Sequence, residues 1–276
     1  MKDSLVNNQN LETLIANCKE GFPIKSLYVL ELPIFNPENG FPFIKDVYGS
    51  LDRDVLLERA QQSECDILSL KFNIENADEI PQATKLLEKL IKKITKPLMV
   101  RGTNDDKLDR VLLPELVKIL DRECIISCAV ENSYAEIIPS TAGKHFVVLK
   151  SPIDINLAKE INILSNDLGQ DLSKIIIDTD IGGLGYGFEY GYSIIEKIRL
   201  EGANDKFLTM PIISFAGEEA LKTKEAKSQN LSSSWGKYED RILMLEITAT
   251  SAIRAAGANL IVVNHPQTLK AMKGLG

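Results

Sequence analysis

The sequence predicts an α/β protein of the (β/α)8 TIM-barrel class, one domain across residues 1–276. Three observations carry that expectation. Short apolar runs rich in β-branched residues alternate eight times with stretches of helical periodicity, the number of units in that fold and about its usual length of 250 residues. The runs are apolar from end to end instead of alternating, as parallel strands covered on both faces require. No strand is followed by Gly-x-Gly-x-x-Gly or by a Gly-Lys-Ser/Thr phosphate loop, so an open sheet wound around a nucleotide has no fingerprint here.

Taken in order, an amphipathic stretch at 11–19 predicts a helix within an N-terminal extension, residues 1–25. The first strand is 26–32, followed by a long Pro/Asn/Gly loop over 33–50 and a helix at 54–63. The second is 66–72 with a helix at 81–93, and the third is 97–102 with a helix at 108–120. The fourth, 124–130, ends in Glu131-Asn132 and precedes a short helix at 134–142. Strand five is 145–150 with a helix at 156–168, and strand six is 175–178 with a helix at 189–200. Strand seven, 211–215, opens an unusually long insertion over 216–238, expected to hold its own helix at 218–227 before the main one at 240–256. Strand eight is 259–264, and His265-Pro266 starts a closing helix, with proline at a favourable early position.

Composition excludes several classes of function. The net charge is -7 and no lysine run interleaves with aromatics, so nucleic acid and acidic membrane surfaces are not expected partners. No apolar stretch reaches the ~20 residues of a membrane helix, and the first ten residues carry no signal-peptide core, so a cytoplasmic protein is expected. The four cysteines are sparse, as in a reducing compartment. Cys124 and Cys128 lie in a strand, where four residues span ~13 Å, too far to share a metal; they read as core thiols.

The most informative stretch is Ile175 to Tyr190. Its strand ends in Asp178, Asp180 follows, and Gly182, Gly183, Gly185 and Gly187 surround Tyr186. Glycines so placed allow positive φ and close approach of something bulky; the plainer reading is a turn that lets the next helix pack close to its strand. In a TIM barrel, function gathers at the carboxyl ends of the strands. Those ends supply Asn73, Arg101, Thr103, Glu131, Asn132, Lys150, Ser151, Asp178, Asp180, Ser214, Asn264 and His265. This polar, mixed-charge rim suits holding a polar ligand better than activating a nucleophile, and no catalytic triad or His-Glu-x-x-His cluster can be assembled from it. Lys150 reads either as a Schiff-base lysine or as the partner of a carboxylate, Asp178 being the nearest candidate. Arg101 reads as neutralising mouth carboxylates or as binding an anion. Asn132 can donate and accept at once. His265 reads as a ligand contact or as the cap of the last helix, and His145, at the opposite face, as structural. Ser214 and the Ala216-Gly217 turn occupy the place where many barrels hold a phosphate.

With these ends placed, a family resemblance emerges. Asp178-Thr179-Asp180-Ile181-Gly182-Gly183-Leu184-Gly185-Tyr186-Gly187-Phe188-Glu189-Tyr190 resembles a motif running Asp-Pro-Thr-Thr, two small residues, Leu-Gly-Tyr-Gly and an acid-aromatic pair. Met210-Pro211 with Ser214, Gly217-Glu218-Glu219-Ala220, Trp235-Gly236, Arg241 with Glu246 and Thr248, Ala256-Gly257-Ala258 and His265-Pro266 follow in the same order. The chain is thereby similar, over about residues 45–276, to the delta (small) subunit of acetyl-CoA decarbonylase/synthase, the TIM-barrel subunit of a corrinoid iron-sulfur protein. Thr179 stands where the family has proline, and Asp180 where it has threonine. The resemblance implies a non-catalytic barrel that pairs with a larger subunit carrying a 4Fe-4S cluster and a cobalamin domain. The corrinoid would lie between the two and pass a methyl group from a methyl-tetrahydropterin to acetyl-CoA synthase, with methyltransferase and synthase as transient partners. Asn132, Asp178, Gly182, Gly183, Gly185, Tyr186, Gly187, Ser214 and His265 would line the cofactor, and no metal would sit on this chain. The alternatives are a pterin-binding methyltransferase barrel acting alone, with Asp178, Asp180 and Asn132 on the pterin, and a lyase using Lys150.

Overall fold

The computed structural model describes residues 10–19 and 25–275. Their chain order is α1 (Leu11–Lys19), β1 (Leu27–Pro33), α2 (Ile44–Tyr48), α3 (Arg53–Gln62), β2 (Ile67–Lys71), α4 (Ile80–Ile91), β3 (Leu98–Arg101), α5 (Asp106–Val117), β4 (Ile125–Ala129) and α6 (Tyr134–Thr141). There follow β5 (Phe146–Lys150), α7 (Ile155–Asp167), β6 (Ile175–Asp178), α8 (Phe188–Gly202), β7 (Ile212–Ser214), α9 (Ala216–Lys222), α10 (Lys224–Lys227), α11 (Tyr238–Ala256), β8 (Leu260–Val263) and α12 (Pro266–Gly274). The eight strands close into a parallel barrel in sequence order, β1 pairing with both β2 and β8. The expected TIM barrel is therefore the fold.

Two apolar layers hold it. The barrel interior is filled by Leu27, Val29, Ile67, Met99, Ile125, Phe146, Val148, Ile176, Ile213 and Val262, all buried. Residues alternate across a strand, so Leu30, Leu68, Val100, Val147, Ile177 and Ile261 face the helices and form the larger outer core. Burial on both faces is why the strands carry no polar stripe. Leu11, Ile15 and Cys18 of α1 join the interior layer and close the amino-terminal opening. The rest of the extension, 1–9 and 20–24, lies outside the described residues.

Short polar caps set where helices begin. Asp52, Asp105 and Asp154 each accept two backbone N–H groups at the starts of α3, α5 and α7, removing donors the first turn would leave unpaired. Two expectations are corrected in the loops. The stretch 33–50 contains a short helix, α2. The helix expected at 218–227 is two, because Thr223 is extended and its hydroxyl caps α10.

Candidate functional site

Continuing the inward alternation upward from the interior layer places Glu31, Lys71, Arg101, Lys150 and Asp178 at the carboxyl ends of β1, β2, β3, β5 and β6. The apolar filling thus ends in a charged layer, and the mouth above it divides into two halves.

Over β1–β3 the mouth is covered, leaving only a small cavity beside the cover. The insertion after β7 sends α9 across it, and Glu218 reaches down to Arg101 Nη2 (2.7 Å), Lys71 Nζ (3.0 Å) and Asn104 Nδ2 (3.0 Å), with Lys222 Nζ at 2.9 Å on its own helix. The Nη1 of Arg101 donates to both carboxylate oxygens of Glu31 at 2.8 Å, and its guanidinium stacks on the Phe215 ring at 3.8 Å. Burial alone would raise the Glu218 carboxyl, but Arg101, Lys71 and Lys222 hold it well below the usual carboxylate range. Burial likewise disfavours the Arg101 charge, and Glu31 and Glu218 more than offset it. Arg101 therefore neutralises mouth carboxylates, as one of its two readings held. Glu31, Lys71 and Glu218 were missed as site residues; for Lys71 the signal was a charged residue at the last inward position of a mostly apolar strand, for Glu31 a charge within one, and Glu218 lies on a helix.

Over β4–β6 the mouth is open. A cavity of about 480 Å³ is lined by Asn104, Cys128, Glu131, Asn132, Lys150 and Asp180, among others. Lys150 Nζ pairs with Asp180 Oδ2 at 3.1 Å, so its partner is Asp180 and not the expected Asp178. Burial would lower the Lys150 ammonium, yet Asp178 and Asp180 raise it; a lysine held cationic is a poor Schiff-base nucleophile. Asp178 lies beneath, 2% exposed, where burial pushes its carboxyl up to about 7, and its Oδ1 accepts the Asp180 N–H at 2.9 Å. Cys128 is a buried thiol pushed up to about 12 by desolvation, unsuited to nucleophilic work.

The glycine loop stands at the same end but splits in two. Gly182 and Gly183 pack inward: a β-carbon at 183 would lie 2.6 Å from Thr223 Cγ2 and 3.0 Å from the Glu219 carbonyl oxygen. Gly182 serves the plainer reading, its β-carbon position taken by the Tyr186 carbonyl oxygen and the start of α8, whereas Gly183 makes room for α9, a helix other than the next one. Gly185 has φ +80° and open space beside it, Gly187 has φ +91°, and Tyr186 is 52% exposed. This half is free to meet a large ligand.

Two other expected contacts are not brought to that cavity. Ser214 is 1% exposed, on the helix-facing side of β7, its hydroxyl without a partner. The Ala216-Gly217 turn is packed against the β8 end, a β-carbon at 217 lying 2.7 Å from Asn264 Nδ2. His265 borders a different cavity, of about 670 Å³, with Phe43 and Asp240, and its Nδ1 accepts the Gln267 N–H at 3.1 Å as the cap of α12. His145 is structural, its Nδ1 accepting the Cys124 N–H. Asn73 and Asn264 border a small cavity beside Glu218. The hydroxyl of Thr103 donates to Asp109, and Ser151 is buried. Among the described residues no group of three or more His, Cys, Asp or Glu could hold a metal, and no helix is long and apolar enough to cross a membrane.

Known proteins resemble this chain in sequence and in fold. The family described as CO dehydrogenase/acetyl-CoA synthase delta subunit matches residues 26–256. The acetyl-CoA decarbonylase/synthase complex subunit delta of Methanocaldococcus jannaschii is 28% identical over 199 residues, 71% of this chain and 48% of the relative. That of Archaeoglobus fulgidus is 27% identical over 208 residues, 71% and 46%. The chain thus spans about half the length of the curated relatives it matches. Among solved structures, dihydropteroate synthase of Xanthomonas albilineans superposes with TM-score 0.60 at 12% identity, over 91% of this chain and 92% of that one. The Thermus thermophilus enzyme gives 0.58 at 15%, over 91% and 93%; identities this low speak for the fold alone. The family match, covering most of the barrel, assigns the chain: it belongs to the CO dehydrogenase/acetyl-CoA synthase delta subunit family.

Proposed function

We propose that this chain is the barrel subunit of a corrinoid methyl carrier in the acetyl-CoA pathway. It would hold cobalamin together with a larger subunit that carries the 4Fe-4S cluster. The observation that carries the reading is the open half of the mouth: an exposed Gly185-Tyr186 tip on the loop after β6, the loop whose Asp180 lines a cavity with Asn132, Glu131 and Lys150. A corrin ring is broad and flat with amide side chains at its edge. A tip without side-chain bulk at Gly185 can lie under its plane, and Asn132 can donate to and accept from peripheral amides. Lys150 and Asp180 satisfy each other, so they can border the cofactor without leaving a charge unpaired. Cobalt supplies the methyl chemistry when the cofactor is bound. The share of this chain is placement and exclusion of water, with Tyr186 covering one edge. Gly182, Gly183, Asp178 and Ser214 act from below as packing, and His265 as a helix cap. Methyl groups would arrive from a methyl-tetrahydropterin and leave to acetyl-CoA synthase, with both enzymes docking transiently.

Co-expression tests this directly. The chain purified alone is expected to be colourless, and the pair with its large subunit to show a corrinoid spectrum. A corrinoid band on the isolated chain would overturn shared binding.

A second reading is favoured by the same cavity, where an amide and a carboxylate stand together as a pterin ring requires. The Xanthomonas albilineans barrel has been solved with 7,8-dihydropteroate. In that reading the chain is a methyltransferase acting alone. Calorimetric titration with methyltetrahydrofolate separates the two: tight binding without a partner favours the enzyme, and none favours the carrier.

A further inference from the structure

The motif Gly217-Glu218-Glu219-Ala220 has no part in the proposed function, yet it places one carboxylate over the β1–β3 half of the barrel mouth. We infer that Lys71, Arg101 and Asn104 form an anion-binding site there and that Glu218 is its resident occupant, a tethered carboxylate that the carboxylate or phosphate of a ligand displaces. This inference is independent of the corrinoid reading.

The donors and the acceptor belong to different parts of the molecule. Lys71 and Arg101 end strands β2 and β3, and Asn104 follows β3, so all three ride on the barrel frame. Glu218 rides on the insertion and meets them across a long sequence gap, 114 residues in the case of Asn104. A simple latch would explain the contact if α9 needed it to stay in place. Packing also seats that helix: Gly217 lies close against Val263 and Asn264 of the β8 end, and Ala220 is 1% exposed. With the helix held in that way as well, the carboxylate is open to another task.

Charge and geometry favour an anion as the competitor. With Glu218 in place, Lys71 and Arg101 face two carboxylates, Glu31 and Glu218. With its side chain swung away, two cations face one carboxylate, and the site carries one positive charge. Arg101 also has a buried Nε without a partner, a donor that the present arrangement leaves unused. Planar guanidinium with an ammonium and an amide is a donor set suited to carboxylate or phosphate oxygens. A route exists, because a cavity of about 180 Å³ lined by Lys71, Asn73, Lys222 and Asn264 opens beside Glu218. The displaced carboxylate keeps a partner as well: Lys222, one turn along on the same helix and 51% exposed, can follow it toward solvent.

The test uses the full chain with Glu218→Gln, which keeps shape and removes charge, and Glu218→Ala, which vacates the site. Inorganic phosphate and acetate are titrated separately by calorimetry at fixed ionic strength, with circular dichroism reporting the fold. At least one anion is expected to bind Glu218→Ala ten-fold or more tighter than wild type, and adding Lys71→Gln should abolish the gain. A gain for acetate alone identifies a carboxylate ligand, and a larger gain for phosphate a phosphate ester. Folded variants with no gain for either anion overturn the proposal. So does failure of both variants to fold, which would make Glu218 a structural latch.

Discussion

The two halves of the barrel mouth use similar residues to opposite ends. Over β1–β3 the charges of Glu31, Lys71, Arg101 and Glu218 are consumed by one another, and α9 covers them. Over β4–β6, Lys150 and Asp180 make one pair beside a cavity, and Asn132, Glu131 and the Gly185-Tyr186 tip meet solvent. Buried ion pairs are poor sources of net stability but costly to break, because the remaining member stays desolvated. Loss of the Arg101 hub of the closed half should therefore show in folding, and substitutions in the open half chiefly in binding.

The largest expected effect tests the closed half. Arg101→Met leaves Glu31 and Glu218 facing each other with Lys71 and Lys222 as the neighbouring cations. Removing one member of such a buried network costs roughly 3–5 kcal/mol, a fall in Tm of about 10 °C for a domain of this size. Thermal unfolding followed by circular dichroism measures it. A loss below about 1 kcal/mol would show that water already reaches the network, and the contrast between the halves would fail.

Acid and base should then pull the halves in opposite directions. Glu218 titrates below its ordinary value of 4.5, so the stability it contributes is present at neutral pH and lost as pH falls below that value. Asp178 is raised from 3.8 to about 7, so the native state keeps a proton that the unfolded chain gives up. Its sign is reversed: stability falls as pH rises from about 4 to about 7 and levels off above. Glu246, buried under the β8–α12 turn and also raised to about 7, adds to that fall. Urea midpoints measured from pH 3 to 8 should show Glu218→Gln flattening the acid limb only. Asp178→Asn should remove part of the slope between 4 and 7. A slope unchanged in Asp178→Asn would mean that Lys150 keeps that carboxyl ionised.

The fold was legible because each strand is apolar on both faces, a property read from composition within a few residues. The open half was legible in part, since Asn132, Lys150 and Asp180 follow directly on such runs. The closed half was not, because it depends on a tertiary step: a helix from the insertion after β7 crossing to β3. Nothing local marks Glu218 as a mouth residue, for it reads as one more acid in a helical first turn. Ser214 misled for the converse reason. It ends a strand as a site residue should, but its parity turns it toward the helices. In the glycine loop, sequence cannot separate glycines that make room for α9 from those that meet solvent; only the neighbours of 183 and 185 do so.

On the open half, Asn132→Ala should leave stability within about 1 kcal/mol of wild type, an exposed amide contributing little. Lys150→Met should cost less than Arg101→Met, because the side chains of Lys150 and Asp180 are 20% and 31% exposed where those of Arg101 and Glu31 are 3% and 4%. The effect is expected in corrinoid retention by the assembled pair, reduced roughly ten-fold, or about 1.4 kcal/mol. Equilibrium dialysis of cobalamin against the two-subunit complex measures it. Equal retention in both variants would move the cofactor away from this cavity.

The smallest effect separates the open cavity from the one beside α12. His265 caps that helix by accepting a single backbone N–H, and a cap of this kind contributes about 0.5 kcal/mol, the low end for caps. His265→Asn restores a good capping side chain without the imidazole, whereas His265→Ala removes the cap. If His265 only caps, the alanine variant loses about 0.5 kcal/mol in urea unfolding, the asparagine variant recovers it, and both retain cobalamin. If His265 instead meets the cofactor, both variants lose cobalamin alike while stability tracks the cap. The pair of substitutions thus assigns the residue to one half of its sequence reading, whichever way retention falls.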